Sequence, residues 1–555
     1  MRRMLRSRRC LGLAAGVSLV LALAACNGSS GSSSSVSSGG KDTITVRGCD
    51  PGTPLIPANT TSSCGLNVLN AVTARLVHYA DNGEARTDLA EAISTDDAKT
   101  WTVKVRDGAK FSDDTPVNAH SFVDAWNWDA YGPHNQAMAN FFSPIVGYDA
   151  VHPVDPDGDE GLQQPAAPSS TTMTGLTVVD DRTFTITLKD PDATFPQRLG
   201  LVAFAPLPTS FFDDDGQKFG EEPVGSGPFK FDSWDRGKQI VIKSDDNYNG
   251  PSKPHVKTVI FKMYDNTDAA YSDVVGNTLD VTDVIPAGAR QDTKYQGDLD
   301  GRWAGSPRGE IQLLRFPDKK EDDTYNSNRL KRALSEALDR TDLVKLAPGE
   351  VLTPATGWVP PGVGGYEASR CGQTCLFDAK DARTLRNDAG GYSGRIRITY
   401  DAETPTVSVP AQWTEVCKEI TKNIGEPCDV VPASAARYHD LATDNKTDDL
   451  LVIDKTMSYP SIDDFLTPLY QRYGVSNDAN FNDSDLNDAL AKAASKANLD
   501  EAFSAYQDAE AKLVDNMPSI PLWYVTNLVG YSDRVTGVKL DAFGLYDLSA
   551  IAVTN

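Results

Sequence analysis

The chain is poor in the residues and motifs that carry catalysis. Only six histidines occur in 555 residues. They stand at His78, His120, His134, His152, His255 and His439, scattered, with no ligand-spaced pair. There is no Gly-x-Ser-x-Gly elbow, no His-Glu-x-x-His helix, no phosphate-binding loop and no Gly-x-Gly-x-x-Gly turn. The signatures of α/β-hydrolases, zinc proteases, P-loop NTPases and dinucleotide enzymes are therefore missing. Carboxylates are so frequent that any pair could be nominated as a glycosidase dyad, so no pair is informative. Basic residues are scarce by comparison: 53 Lys and Arg against 77 Asp and Glu leave a net charge of −24. A chain of that sign repels nucleic acid and anionic lipid headgroups, and its charge speaks first to solubility. The N-terminal apolar run, residues 11–25, falls short of the roughly 20 residues that cross a bilayer.

What is present is an exported globular chain. Hydrophobic residues make up 40% and aromatics 8%, enough for two or three domains with their own cores. Arg2, Arg3, Arg6, Arg8 and Arg9 precede the short apolar run, the pattern of a signal peptide over residues 1–25. The run ends Leu23-Ala24-Ala25-Cys26. This resembles the lipobox of bacterial lipoproteins, which implies acylation of Cys26 and a protein held to the outer face of the bacterial cytoplasmic membrane by its lipid. Residues 26–40 are nearly all Ser and Gly, a tether that cannot bury apolar surface.

The folded part mixes strands and helices. Residues 41–47 alternate as a first strand, and the spacing of Leu69, Val72 and Leu76 predicts a helix over residues 67–79. Residues 100–106 alternate cleanly, Asp107-Gly108 turns, and a helix covers residues 119–128 with His120, Phe122 and Trp126 as packing residues. Residues 131–172 read as loop. Within them Asp155, Asp157 and Asp159 resemble half a calcium loop, but the glycine at its sixth position and the glutamate at its twelfth are missing. Residues 176–179 and 183–188 form a hairpin. Gly225 and Gly227 make a tight turn before strands starting at Phe229, at Gln239 and at Val256. Leu330, Ala333, Leu334, Ala337 and Leu338 share one face of a helix over residues 329–340. Further strands lie at 395–400, 428–431 and 449–454, and further helices at 413–424, 484–497 and 500–516.

Several of these blocks come in a known order. The stretch from Pro223 to Phe231 and the β-rich residues after it look like the signature region of the family 5, cluster C solute-binding proteins of ABC importers. Phe111-Ser112-Asp113-Asp114-Thr115-Pro116-Val117 is similar to that family's F-x-D-G-x-P-V block, with Asp114 in the glycine position. Residues 329–340 are similar to its R-x-A-L-x-x-A-x-D-R helix. Tyr459, Phe465 and Leu466 match its D-Y-x-x-P-x-x-F-L block, with Ile462 in place of the proline. The resemblance implies an α/β fold of the periplasmic-binding-protein-like type II, two lobes with an extra inserted domain. By this reading domain I comprises 41–82, 208–291 and 518–555, domain II is the inserted 83–207, and domain III is 292–517. It further implies a monomeric, non-enzymatic receptor without cofactor, metal or nucleic-acid partner, which captures oligopeptides between its lobes and delivers them to membrane permease subunits. A non-peptide solute such as a metal chelate, opine or sugar stays open as an alternative, as does a secreted hydrolase.

In the family's peptide binders the ligand pairs as an extra strand, so backbone groups supply most contacts. Block alignment places the flanking segments at Thr61, Ser63 and Cys64 and at Asp454, Thr456, Ser458 and Tyr459, with His134 and Asp463 as further candidates. Ser458 stands where the peptide binders place an aspartate for the ligand's α-ammonium. Serine accepts a hydrogen bond but brings no charge. Asp454, Asp463 and Asp464 are the nearby acids that could replace it.

Beyond Cys10 and Cys26, six cysteines remain, an even count that suggests disulfides in an exported chain. Proximity pairs Cys49 with Cys64, Cys371 with Cys375 and Cys417 with Cys428, although the sequence permits other connectivities. A metal site at Cys371 and Cys375 lacks a nearby histidine or a second cysteine pair.

Overall fold

The computed structural model describes residues 40–154, 165–318, 320–347, 349, 351–403, 409–443 and 447–554. The signal peptide, Cys26, the tether up to residue 39 and the acidic stretch from Asp155 to Asp159 lie outside the described residues.

β1 (Thr43–Gly48) opens the fold with Ile44 and Val46 fully buried. α1 (Ser63–Val72) follows. Ser62 Oγ caps it by accepting from Gly65 N at 3.3 Å, the usual service of a short hydroxyl at a helix start. The helix therefore begins earlier than the sequence spacing predicts, and it ends earlier too. Thr73 takes extended angles (φ −113°, ψ 131°) and its hydroxyl donates back to Leu69 O at 2.7 Å. Leu76 and the residues after it belong instead to the run into β2 (Val77–Tyr79), which pairs with β3 (Ala85–Thr87).

A separate four-stranded antiparallel sheet comes next, built from β4 (Ala90–Thr95), β5 (Thr100–Val105), β6 (Leu176–Asp180) and β7 (Thr183–Thr187) in the order β4-β5-β7-β6. β5 buries Trp101, Val103 and Val105 and exposes the residues between them, the alternation of a half-covered sheet. α2 (Ala119–Ala130) covers that face. Trp126 sets its ring edgewise on Phe184 and Phe204 at 5.6 and 5.2 Å. His120 is no packing residue. It is exposed and faces Asp124 at 3.4 Å, because two helical positions before Phe122 point away from the core. Asp114 takes φ 71°, a left-handed turn that Asp tolerates.

β8 (Phe229–Asp235), β9 (Gln239–Ser244) and β10 (Thr258–Met263) then build outward from β1, with β10 parallel to it. The glycines of the preceding turn are needed for contact. A Cβ on Gly225 would fall 1.8 Å from Val72 O, and one on Gly227 would fall 2.7 Å from Ala71 O. Without side chains the turn seats backbone against the end of α1, where Gly227 N donates to Val72 O at 2.9 Å.

β11 (Val281–Thr282) and β12 (Trp303–Arg315) lead into the remaining part of the chain. There α3 (Asn328–Glu336) buries Leu330, Ala333 and Leu334, with Ala337 and Leu338 just beyond it, the face read from the sequence. β13 (Leu352–Pro354), β14 (Ile396–Asp401), α4 (Pro410–Ile424), β15 (Cys428–Ala433), β16 (Leu450–Thr456), α5 (Ile462–Tyr470), α6 (Ser484–Ala494), α7 (Leu499–Asn516) and β17 (Ser519–Tyr531) complete it. Among the described residues, eleven strands form one mixed sheet ordered β15-β14-β16-β12-β17-β11-β1-β10-β9-β8, with β13 also on β17. No described helix is long and apolar enough to cross a membrane.

β12 and β17 pair antiparallel from Trp303 opposite Gly530 to Arg315 opposite Ser519. At one end Ile311, Leu313, Ile520 and Trp523 share a core with α3 and α4. At the other, Val529 joins Ile44, Val46 and Phe261. The core neighbours thus change part-way along β17. A single extended strand can serve two cores because its hydrogen bonds continue across the change of neighbours.

The structure joins Cys49 to Cys64, Cys371 to Cys375 and Cys417 to Cys428, with Cα atoms 5.4, 5.8 and 5.0 Å apart. The first ties the exit of β1 to the first turn of α1, and the last ties α4 to β15. Leu334 is 0% exposed, so Leu334→Ala is expected to cost about 2–5 kcal/mol of stability in urea unfolding.

Candidate functional site

A cavity of about 490 Å³ opens among segments from distant parts of the sequence. Leu66 and Asn70 of α1, His78 and Tyr79 of β2, and Leu201 and Val202 form one side. Gly305 to Pro307 at the start of β12, Gly362, Ser458 and Pro460 form another, and residues 539–549 run along it. One buried side chain stitches these sides together. Gln197 Nε2 donates to Gly83 O at 2.8 Å and to Pro460 O at 2.6 Å, while its Oε1 accepts from Ala85 N at 2.5 Å. Gly83 is required here: its φ is 79°, and a Cβ would fall 2.3 Å from Gly362 O.

The walls are mainly apolar, with Met138, Phe141, Phe229 and Phe543 among the lining residues. The charged lining residues are mostly engaged with one another or with backbone. Arg75 Nε donates to Gly200 O at 3.1 Å, and its terminal nitrogens donate to Thr73 O at 2.8 Å and Asn70 Oδ1 at 2.7 Å. Lys539 Nζ lies 2.5 Å from Asp81 and 3.3 Å from Asp547. Asp88 accepts the Tyr248 hydroxyl at 2.9 Å, and burial pushes its carboxyl above the ordinary range. Burial pushes the His78 imidazole the other way, toward the neutral form. Asp541 sits in a tight turn closed by Gly544 at φ 80°. Its Oδ1 accepts Phe543 N and Leu545 N, both at 2.9 Å. Burial raises its carboxyl to about 6 against these two bonds.

Of the residues singled out from the sequence, Ser458 lines the cavity. Thr61 and Ser63 are exposed at the N-terminal end of α1, and Cys64 is bound in its disulfide; the cavity begins further along that helix, at Leu66. Asp454 and Thr456 lie on β16, where Asp454 accepts from Gln312 Nε2 at 2.5 Å. His134 packs against Trp128 with ring centroids 4.3 Å apart and planes tilted by 31°, its Nδ1 2.8 Å from Trp128 O. Tyr459 and Asp463 are buried. The Tyr459 hydroxyl donates to Asp463 Oδ2 at 2.6 Å and accepts from Arg198 at 2.6 Å, with the guanidinium 3.9 Å above its ring. Asp192 lies 3.6 Å from the same arginine. Burial works against the Arg198 charge, yet Tyr459, Asp192 and Asp463 outweigh it and hold the guanidinium above its ordinary value. Asp464 accepts Ser458 N at 2.7 Å and pairs with Lys455 at 3.0 Å. Phe465 is core, 0% exposed. Each acid near position 458 thus has a protein partner, although Asp463 Oδ1 is buried without one.

Sequence reasoning missed Arg75, His78, Asp88 and Asp541. None belongs to a recognisable motif, and they meet only through chain crossings. The one local signal was the Asp541-Ala542-Phe543-Gly544 turn, whose aspartate and glycine are turn residues.

Against known proteins, the family described as bacterial extracellular solute-binding proteins, family 5 Middle, matches residues 84–477. The chain is similar to the oligopeptide-binding protein OppA of Bacillus subtilis (strain 168), 23% identical, over 94% of this chain and 95% of the relative. It is similar to the glutathione-binding protein GsiB of Shigella dysenteriae serotype 1 (strain Sd197), 24% identical, over 81% and 82%. Its fold is similar to the unliganded open form of the periplasmic murein tripeptide binding protein MppA, with a TM-score of 0.81, 21% identity and coverage of 92% and 97%.

Removing Arg198 strands buried acids on both sides of this contact. Arg198→Met is expected to lower stability by about 3–5 kcal/mol in urea unfolding. Arg198→Lys is expected to restore only part, because an ammonium cannot lie flat on the Tyr459 ring while bonding its hydroxyl.

Proposed function

The chain belongs to the bacterial extracellular solute-binding proteins of family 5, and from that premise we propose a lipid-anchored receptor that captures oligopeptides in the cleft and delivers them to the permease of an ABC importer. The observation that carries this reading is the cavity itself. It is largely apolar, of a size for a short peptide, and walled by segments on both sides of β12 and β17. The relatives named above are called oligopeptide-, glutathione- and murein tripeptide-binding, and each of those ligands is a peptide. They are named for binding, and the present reading likewise has no bond broken.

In this reading residues 41–82, 208–291 and the end of the chain form domain I, and the inserted residues 83–207 form domain II on the same lobe. Residues 292–517 form domain III, the second lobe. β12 and β17 connect the lobes and bend as they close, a hinge motion about strands shared by both. Ser458, Gly305 and Ser306 contribute from the second lobe's side of the cleft. The protein works as a monomer, without cofactor or metal, on the outer face of the cytoplasmic membrane. Acylation at Cys26 holds it there, and the Ser/Gly tether after it lets the loaded receptor reach its permease.

Mass spectrometry on ligand released from the purified mature chain is expected to find peptides of mixed sequence and narrow length. A single non-peptide compound would overturn the peptide assignment. Cys26→Ser is expected to move the protein from the membrane fraction to the soluble exterior; a variant that stays with the membrane would rule out the lipid anchor.

A further inference from the structure

We propose that the cleft carries an apolar subsite, formed by Leu66, Met138, Phe141 and Val202 and closed by the rings of Tyr79 and Phe543, which takes one bulky aliphatic or aromatic side chain of the ligand and so selects short peptides bearing leucine, methionine or phenylalanine. The inference rests on the peptide-receptor reading above. Pairing through the backbone leaves the ligand's side chains open, and the walls decide them.

All six residues line the cavity, and all are half-buried. Their neighbours in sequence anchor them. In the turn Ala139–Phe142, Phe142 is buried in the core and Phe141 is left to the cavity. In the turn Val202–Phe204, Ala203 and Phe204 are buried and Val202 is left to the cavity. The two turns meet through Phe142 and Phe204, whose ring centroids are 4.7 Å apart, and Trp126 backs both at 6.2 and 5.2 Å. α1 packs against the second turn, burying Val68 and Leu69 and leaving Leu66 on its cavity side. Met138 N donates to Ala58 O at 2.9 Å and Ala137 N to Asn59 Oδ1 at 3.3 Å, which holds the first turn to the approach of α1.

The aromatic end is fixed as firmly. Tyr79 donates its hydroxyl to Gln197 O at 2.7 Å, so its polar tip is engaged and its ring is left to the cavity. Gly200 makes room for that ring, since a Cβ there would fall 2.5 Å from Tyr79 Cζ. The Phe543 ring centroid lies 6.1 Å from that of Tyr79. Its segment is tied to two others: Leu540 N donates to Ser306 Oγ of β12 at 3.3 Å, and Tyr546 N donates to Asn67 Oδ1 of α1 at 2.9 Å.

Apolar surface facing a cavity is stabilised when a ligand's apolar side chain displaces water from it, in proportion to the area covered. A charged side chain finds no such gain. Asn70, one helical turn after Leu66, gives its Oδ1 to Arg75 at 2.7 Å. Arg75 is otherwise taken up by Thr73 O and Gly200 O. A lysine or glutamate side chain lodged among these six residues would shed its water without gaining a partner from them, which costs free energy.

The test is calorimetric titration of the mature protein with tripeptides that carry Gly, Ala, Leu, Phe, Lys or Glu at one position and alanine at the other two, each position taken in turn. At one position leucine and phenylalanine are expected to bind about tenfold to a hundredfold tighter than alanine, the gain for burying such a side chain, with a more negative heat-capacity change. Lysine and glutamate there are expected to bind no tighter than alanine. Phe141→Ala and Val202→Ala are each expected to cut the leucine-to-alanine affinity ratio about threefold to tenfold, with the thermal melt reporting that they fold; the wild-type series decides the proposal even where a variant does not. Wild-type affinities that do not change from alanine to leucine at any position would overturn the subsite while leaving the peptide receptor intact, as would a preference for lysine or glutamate. Protein that binds none of these tripeptides would also overturn the subsite, and a non-peptide ligand released from it would overturn the peptide reading as well.

Discussion

The structure depends on the antiparallel pair β12 and β17. Each is thirteen residues long, and each contributes to two cores. Their shared hydrogen bonds run from Trp303 to Arg315 with irregular register between Pro307 and Ile311. That irregularity falls at the cleft. Gly309, inside it, has its backbone free to bind the Ala542 carbonyl on one side and the Met457 amide on the other. The Met457 bond continues the β12–β16 register one step past Glu310 and Thr456, while the Gly309 amide turns to the Ala542 carbonyl. A bulge re-aims backbone and ends local pairing, and here it anchors the two segments that carry Ser458 and Asp541.

A second constraint is the contact of the four-stranded unit with α5. Arg198 arrives from the end of that unit, and Tyr459 and Asp463 from the block before and within α5. Buried charges are costly unless paired and bonded. Here the aromatic face, the hydroxyl and two carboxylates share one guanidinium. Gln197, next in sequence to Arg198, satisfies three backbone groups from two other segments. Polar groups placed this way specify geometry. They tolerate little sliding, which suits a surface bordering a binding cleft.

The cleft joins apolar walls to a few polar groups. Its acids outnumber its free cations because Arg75 and Lys539 serve the protein itself. Few of the chain's many acids line the cavity.

Local patterning sufficed for much of the chain. The alternation of β5, the buried face of α3 and the Asp114 turn depend on neighbours a few residues apart. The order of family blocks was likewise written in the sequence. The helix after Ser62 was misplaced because its cap and its stop at Thr73 are single hydrogen bonds, invisible to periodicity. The site was legible only in part. Ser458 stands out as a missing charge, whereas the contacts of Tyr459 with Asp463 and with Arg198, the latter 261 positions away in sequence, are not written locally. Asp541 gave no hint beyond a turn. By itself the sequence determined the elements, the disulfide candidates and the family. Tertiary structure alone decided which acids are paired within the protein and which line the cavity, because that depends on partners brought together across hundreds of residues.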